Sequence, residues 1–412
     1  MQVQYTRCAG LDVHKATVVG CVIVPDATGS PVKETRTFST MTGELTTLAQ
    51  WMQAQGVTHV AMESTGVYWK PVYNVLEGMF ELLVVNPTAI KKLKNKTDVA
   101  DAEWIADLLR HGLLKGSFIP SAQQRVVRDL TRYRTTLLDD RTREVNRLQK
   151  VLEAANLKLA SVATDSMGVS GRAILQQLIE GHSDPATLAE LAKGRLREKR
   201  ALLEQALQGT LQPHHRFMLI QHLSHIDFLD EQIAKLDAEV AEQMRPFEAA
   251  MVRWDQLPGI NQRNAQVIVA EAGADLKQFA DAAHCASWAA MCPGNRESGG
   301  KRQSGKTNKG NVWLRRALIE AAHGAARKKN SYFAALYHRL AGRRGKKRAL
   351  VAVGHSLLVS GYHMITKQTD YKDLGNTYFD ERNREAVKRR MVKRLEQLGY
   401  EVELKPETVA PA

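Results

Sequence analysis

The sequence has little cysteine and no long apolar run. The first shortage argues against a disulfide-bonded protein, and the second argues against one that spans a membrane. Only four of its 412 residues are cysteines, and none has the Cys-x-x-Cys spacing, so we interpret them as reduced thiols of a cytoplasmic protein. Apolar runs such as that from Val18 to Val24 are far too short to span a bilayer. The N-terminus lacks the apolar segment of a signal peptide. These shortages predict a cytoplasmic protein that does not span a membrane.

Acidic residues are also in short supply. The chain has 44 Asp and Glu against 58 Lys and Arg, a formal net charge of +14. Such an excess favours a polyanionic partner, although basic chains can also be membrane-surface proteins or simply soluble. Nucleic acid is favoured because many cations cluster between residues 327 and 348. The length predicts two or three domains, and a hydrophobic content of 44% is enough to bury a core in each.

The first hundred residues alternate between strand and helix patterns. Periodicity and turn residues predict the order βββαβαβ, followed by a helix that ends near Arg110. The predicted elements are strands at 7–13, 17–25 and about 34–39, a helix at 44–55, a strand at 58–63, a helix at about 68–79 and a strand at 81–85. The N-terminal region is therefore predicted to be a mixed sheet with helical cover.

Four acidic residues are expected to meet at one edge of this sheet. Asp12 ends the first strand and Glu63 ends the fourth, and sites gather at the carboxyl ends of parallel strands. Asp98 and Asp101 are three residues apart at the start of the next helix, so they share a face. Taken alone, that pair reads as a helix start capped by Thr97. Four converging carboxylates instead favour a Mg²⁺ site.

Three segments carry a resemblance to a known family. Residues 10–15 (Gly-Leu-Asp-Val-His-Lys), 62–69 (Met-Glu-Ser-Thr-Gly-Val-Tyr-Trp) and 96–102 (Lys-Thr-Asp-Val-Ala-Asp-Ala) resemble the N-terminal motifs of DEDD-type insertion-sequence transposases of the "one-ten" elements. The first domain of that family resembles RuvC-type resolvases. The resemblance implies an RNase H-like fold, with Mg²⁺ or Mn²⁺ held by Asp12, Glu63, Asp98 and Asp101.

The middle of the chain is long and helical. An apolar stripe runs from Leu130 to Leu152, and residues 226–240 repeat apolar positions with the 3-4-3-4 spacing of a coiled-coil seam. Between them, Ser183-Asp184-Pro185 predicts a capped helix start and residues 195–200 a basic helix. An antiparallel hairpin that serves as a spacer or oligomer contact and a bundle within one chain remain equally open.

Two later segments bear on chemistry. Leu257-Pro258-Gly259-Ile260 resembles the turn of a helix-hairpin-helix unit, in which a tight Gly turn lets backbone N–H groups approach a phosphate. A loop rich in Gly, Ser and cations follows at 293–306. A serine there could attack a phosphodiester while cations stabilise the developing charge. A Gly-Ser loop that only touches DNA phosphates is the alternative, and the residues alone favour it.

The family resemblance favours the nucleophile instead. Residues 257–273 and 286–322 resemble the second conserved domain of these transposases, in which a serine of a Ser-Gly pair is joined covalently to DNA. Ser298 matches that serine, and Ser304 ranks second. Asn261 departs from the pattern, because the family usually carries Gly there.

The predicted organisation has four parts. They are an α/β RNase H-like (RuvC-like) metal-binding domain (1–120), a helical, coiled-coil oligomerisation region (121–250), a mainly α domain with a helix-hairpin-helix-like unit and the serine (251–370), and a terminal helix near Asp380–Leu398 with its tail (371–412). The basic run between 327 and 348 is expected to track a nucleic-acid backbone.

The resulting interpretation is a transposase that acts as a DNA recombinase. The resemblance implies a 5′-phosphoserine link through Ser298, double-stranded DNA partners, a structured guide RNA encoded by the element, and a homo-oligomer (dimer or tetramer). Two alternatives are a RuvC-like endonuclease that hydrolyses junctions and a non-catalytic nucleic-acid-binding protein.

Overall fold

The chain divides into two compact units, Met1–Pro120 and Ser121–Ala412. The computed structural model describes residues 2–87, 97–294, 296–307 and 310–404, and of Arg296, Ser298 and residues 302–304 it describes the backbone alone. The predicted boundary at residue 120 coincides with the division between the units. The further predicted boundaries, at 250 and 370, fall inside the second unit and remain predictions.

The first unit is built on a five-stranded mixed sheet. Its strand order is β3-β2-β1-β4-β5, with β1–β2 and β2–β3 antiparallel and β1–β4 and β4–β5 parallel. The predicted order of elements is confirmed, and the first and fourth strands are neighbours. The elements are β1 (Cys8–Val13), β2 (Thr17–Pro25), β3 (Pro31–Ser39), α1 (Thr42–Ala54), β4 (His59–Glu63), α2 (Trp69–Leu76), β5 (Glu81–Val85) and α3 (Asp98–Arg110).

Helices cover both faces of the sheet. Side chains of β1 and β4 alternate, so Leu11 and Met62 pack into the cluster that contains α1 and α2. Ala61 faces the other way and packs against Ala102 and Ile105 of α3. The strands β1 and β4 are thus buried on both sides, which explains their nearly continuous apolar sequence.

Gly10 lets α3 lie unusually close to β1. A Cβ atom at residue 10 would lie 2.3 Å from the backbone nitrogen of Ala106 and 2.5 Å from the carbonyl oxygen of Ala102. Real Cβ atoms do not approach backbone this closely, so only glycine fits. Gly10 therefore sets the position of α3 over the sheet, and with it the position of the first turn of that helix.

The second unit is almost entirely helical. Its helices are α4 (Ala122–Ala154), α5 (Leu159–Val162), α6 (Val169–Glu180), α7 (Pro185–Glu190), α8 (Arg200–Ala206), α9 (Pro213–Gln243), α10 (Glu248–Asp255), α11 (Gln262–Ala272), α12 (Ala282–Trp288), α13 (Val312–Ala325), α14 (Tyr332–Arg344), α15 (Lys346–Lys367), α16 (Tyr378–Arg382) and α17 (Arg384–Gln397). A two-stranded sheet, β6 (Arg296–Ser298) and β7 (Lys301–Ser304), precedes α13. Short 3-10 helices occupy Gly194–Lys199 and Arg245–Phe247, so the predicted basic helix at 195–200 is 3-10 up to Lys199.

The long helices α4 and α9 form an antiparallel pair. The apolar seam of α9 is filled from within the chain, because Leu229 and Ile233 pack against Leu137 of α4. At one end Ile226 joins the cluster formed with α5–α8, and at the other Val240 joins the cluster formed by α10–α15. The seam is therefore filled within one chain, and the role of this hairpin as a spacer or as an oligomer contact through its other faces stays a prediction.

One predicted helix start is confirmed, and a second helix has a cap that the sequence did not predict. Asp184 caps α7 by accepting a hydrogen bond from the backbone N–H of Thr187 at 2.8 Å, with Pro185 in the first turn. Asn261 caps α11 by accepting from the N–H of Asn264 at 2.9 Å. The departure from glycine at residue 261 thus has a structural role, since the asparagine starts the helix after the Leu257–Ile260 turn.

Helix α15 is the core helix of the second unit. By length and composition alone it is apolar enough to cross a membrane, but 56% of its most apolar window is buried inside the protein. Leu357, Leu358 and Ile365 on it belong to the largest apolar cluster. A mostly buried helix of this kind is typical of a core, so it gives little support to a membrane span.

Candidate active site

Asp12, His14 and Asp98 form a compact group at the edge of the first unit. The Oδ2 atom of Asp12 lies 3.1 Å from Nε2 of His14, and Oδ1 of Asp98 lies 3.4 Å from the same nitrogen. One ligand atom from each residue lies within 4.8 Å of the other two, which is a spacing that one metal ion can bridge. The structure therefore brings together two of the four predicted acids and adds a histidine.

Local geometry explains why these groups meet. Asp12 is the fifth residue of β1, so its side chain points to the same face as Gly10, which is the face that α3 covers. Asp98 is the first residue of α3, and the hydroxyl of Thr97 caps that helix by accepting from the N–H of Ala100 at 3.2 Å. The helix-cap interpretation and the site interpretation are thus compatible.

Burial and neighbouring charges both affect the pKa of Asp12. Its side chain is only 12% exposed, and among the described residues its one ion-pair partner is His14. Burial raises the pKa of the Asp12 carboxyl; His14 lowers it, and the carboxylates of Asp98 and Asp101 raise it. The pKa therefore lies above its usual range, and a divalent cation would relieve the repulsion.

Glu63 and Asp101 lie beside this group but outside its 4.8 Å spacing. In the parallel pairing of β1 with β4, Leu11 is opposite Met62, so Asp12 and Glu63 are the next residues on neighbouring strands. The hydroxyl of Thr65 donates to Oε1 of Glu63 at 2.7 Å and orients it. Asp101 is one helical turn beyond Asp98 and affects the pKa of Asp12.

Sequence reasoning missed His14. The sequence places it in the turn between the first two predicted strands, where a lone histidine carries no spacing signal. The available signal was its position two residues after Asp12, since alternating residues of an extended chain point to the same side.

Ser298 lies at the turn of a β-hairpin. The sequence predicted a loop here, but Ser298 pairs with Lys301 and only Gly299 and Gly300 connect β6 to β7. Both glycines have positive φ angles, +57° and +72°, as a two-residue hairpin turn of type I′ requires. The side chains of Ser298 and Ser304 lie outside the described residues.

A cationic cleft borders the base of this hairpin. It measures about 1040 Å³, and Lys306, Arg315, Arg344, Lys347 and Arg348 are among its lining residues. The described lining residues include no Asp or Glu. The second unit thus presents positive charge next to the serine hairpin, whereas the first unit presents a group of carboxylates.

A buried ion-pair network supports the start of α13, the helix that follows the hairpin. Glu271 is fully buried and accepts two hydrogen bonds from Arg132, at 2.6 and 2.8 Å. It also lies 3.2 Å from Nε of Arg128, and Asn311 donates to it at 2.6 Å. Because Asn311 caps α13, this network connects α4, α11 and α13.

Known protein families match two regions of the chain, one that contains the acidic residues and one that contains the serine hairpin. Residues 9–157 match a sequence profile for a transposase of the DEDD type named for IS110, and residues 253–338 match one described as transposase of the IS116/IS110/IS902 family. A probable family 20 transposase of Pseudomonas aeruginosa is 26% identical over 273 residues, which cover 65% of this chain and 71% of that protein. An uncharacterized 44.8 kDa protein of insertion element IS116 from Streptomyces clavuligerus is 28% identical over 246 residues, or 55% of this chain and 59% of that protein.

Proposed function

Because the chain belongs to the IS110 family of transposases, we propose that it cuts and rejoins DNA strands with a divalent metal ion at its acidic edge and a serine nucleophile. The N-terminal unit is an RNase H-like domain in this proposal, and its strand order is compatible with that fold. One observation carries the metal assignment. It is the cluster of Asp12, His14 and Asp98, in which a nearly buried carboxylate has acids for neighbours and no Lys or Arg partner in the described part of the chain.

The donor set fits Mg²⁺ or Mn²⁺. Carboxylate oxygens are the ligands that these hard cations prefer. Asp12 and Asp98 would hold the ion, with His14, Glu63 and Asp101 completing or orienting its surroundings. A metal ion bound here would polarise the scissile phosphate and favour deprotonation of the attacking hydroxyl.

Ser298 supplies that hydroxyl. Its oxygen attacks the phosphorus, the Oγ–P bond forms as the P–O3′ bond breaks, the serine releases its proton and the leaving 3′ oxygen takes one up. The product is a 5′-phosphoserine link that preserves the energy of the phosphodiester bond for rejoining. Exposure of the Gly299–Gly300 turn supports access of DNA to this position.

The acids and the serine belong to different units of the chain. We propose that they meet in a homo-oligomer, a dimer or tetramer, in which the serine hairpin of one copy serves the acidic edge of another. The α9 seam cannot form that contact, since α4 already covers it.

The formal charge of +14 supports binding of double-stranded element ends and target DNA, and it permits a structured guide RNA in the cytoplasm.

Trapping of a covalent adduct tests the proposal. The protein is incubated with end-labelled element DNA and Mg²⁺, denatured and resolved on a gel. We expect an adduct from wild-type protein and from Ser304→Ala, and none from Ser298→Ala or Asp12→Asn. Strand cleavage should fall by about 10³-fold or more in both inactive variants.

Three results would contradict parts of the proposal. Cleavage that persists in Ser298→Ala without any adduct would identify a nuclease that uses water. Full strand exchange by Asp12→Asn would show that the acidic edge has no role in the reaction. Strand exchange without RNA transcribed from the DNA beside the gene would exclude the guide.

A further inference from the structure

The cleft beside the serine hairpin carries more positive charge than folding requires. Lys347 and Arg348 lie in the first turn of α15, where the helix dipole disfavours cations. Within the described residues, neither they nor Arg344 form an ion pair, and no carboxylate lines the cleft. Such an arrangement costs stability in the free protein, so it indicates an anionic ligand.

The floor of the cleft is apolar. Met291, Leu336, Leu340 and Val351 line it together with the cations, and Met291 is part of the buried core behind them. A cationic rim above an apolar floor suits a nucleotide, whose phosphate contacts the rim while its base contacts the floor. The volume of about 1040 Å³ is on the scale of small-ligand pockets, which is the scale of unstacked nucleotides and not of a duplex.

The cleft lies against the hairpin that carries the serine. Pro293 and Thr307 pair across the open end of the hairpin, and the N–H of Gly294 donates to the carbonyl of Lys306 at 2.8 Å. The guanidinium of Arg315 donates to the hydroxyl of Thr307 at 2.6 Å. The open end of the hairpin is therefore one wall of the cleft, and Ser298 lies at the other end of the same two strands.

We propose that this cleft holds unstacked nucleotides of the DNA strand that the serine hairpin cuts. The proposal rests on the proposed function, because it assigns the cleft to the strand next to the attacked phosphate. Arg344 and Lys347 contact its phosphates, and Leu340 and Val351 contact a base. The adjacent Arg343 and Lys346 do not line the cleft and contribute only general charge.

Adjacent residues of the same type provide a matched test. Arg344→Gln/Lys347→Gln removes two charges from the cleft, and Arg343→Gln/Lys346→Gln removes two charges next to it. Binding of a labelled single-stranded DNA is measured by fluorescence anisotropy at several salt concentrations. We expect the first pair to weaken binding about tenfold and to reduce the slope of log K against log salt by about 1.4, and the second pair to change the affinity by less than about threefold.

A second measurement tests contact with a base. A 2-aminopurine in the oligonucleotide should change its fluorescence on binding to wild-type protein, and Leu340→Ala should reduce that change while thermal melting shows the variant to be folded. Equal losses in the two glutamine pairs, or tighter binding of an RNA of the same sequence through Arg344 and Lys347, would overturn the assignment to DNA.

Binding and chemistry can fail separately. Ser298→Ala should bind the oligonucleotide as the wild-type protein does, because the serine is not part of the cleft. If Ser298→Ala retained the covalent adduct while the glutamine pairs differed as expected, the nucleophile would be wrong and the cleft assignment would stand.

Discussion

Two buried carboxylates, one in each unit, differ in how their charge is balanced. Glu271 is fully buried and is surrounded by Arg128, Arg132 and Asn311, which together satisfy its oxygens. Asp12 is 12% exposed and has His14 beside it, with further acids as its other charged neighbours. A carboxylate whose charge is matched within the protein stabilises the fold, whereas one that is left among other acids is a site for an external cation.

The largest expected effect on stability comes from Glu271→Gln. The substitution removes the buried negative charge that Arg128 and Arg132 share, so the free energy of unfolding should fall by about 3 kcal/mol or more. Glu231→Gln is the matched control, because Glu231 pairs with Lys235 at the exposed surface and should cost less than about 0.5 kcal/mol. Urea unfolding measures both. Similar values for the two variants would refute the structural role of Glu271.

A smaller effect is expected from metal binding at Asp12. At a concentration about 100 times its Kd, Mg²⁺ should stabilise the wild-type protein by about 2.7 kcal/mol. Glu271→Gln should keep this gain, whereas Asp12→Asn should lose it without becoming less stable in the absence of metal. Thermal melting with and without Mg²⁺ gives the comparison. An undiminished gain in Asp12→Asn would place the metal elsewhere.

A third effect, similar in size to the second, concerns the backbone that supports the acidic edge. Gly10→Ala places a methyl group against Ala102 and Ala106, so α3 must shift, at a cost of about 1–3 kcal/mol. Because Asp98 begins α3, the affinity for Mg²⁺ should fall as well. Gly43→Ala is the control, since a Cβ there meets nothing within 4 Å. Unchanged Mg²⁺ affinity in a destabilised Gly10→Ala would separate the packing of α3 from the site.

The acidic edge could be predicted from sequence because local patterns determine it. The alternation of side chains along a strand determines which way Asp12 and Glu63 point. A capped helix start determines the position of Asp98. Each of these signals lies within a few residues of the side chain that it positions. His14 was missed because a lone histidine after a strand carries no spacing signal, and its contact with Asp98 depends on where α3 lies over the sheet.

The second unit was less predictable because its main contacts are distant in sequence. Glu271 meets Arg132 across 139 residues, and no periodicity signals that pairing. The 3-4-3-4 seam from Ile226 to Val240 was identified correctly, but the spacing alone could not say whether its partner was α4 or another chain. Turn chemistry at Gly299-Gly300 permitted a hairpin, although the density of glycine and serine suggested a loop.

The antiparallel pair of α4 and α9 has a mechanical consequence. With 33 residues, α4 is about 50 Å long at ~1.5 Å per residue, and it separates the small cluster of α5–α8 from the large core around α15. A tilt of roughly 10° at the core would therefore displace the far end by about 9 Å, nearly the diameter of a helix. The length of the pair therefore means that a slight change of angle at the core would appear at the far end as a displacement of several ångströms.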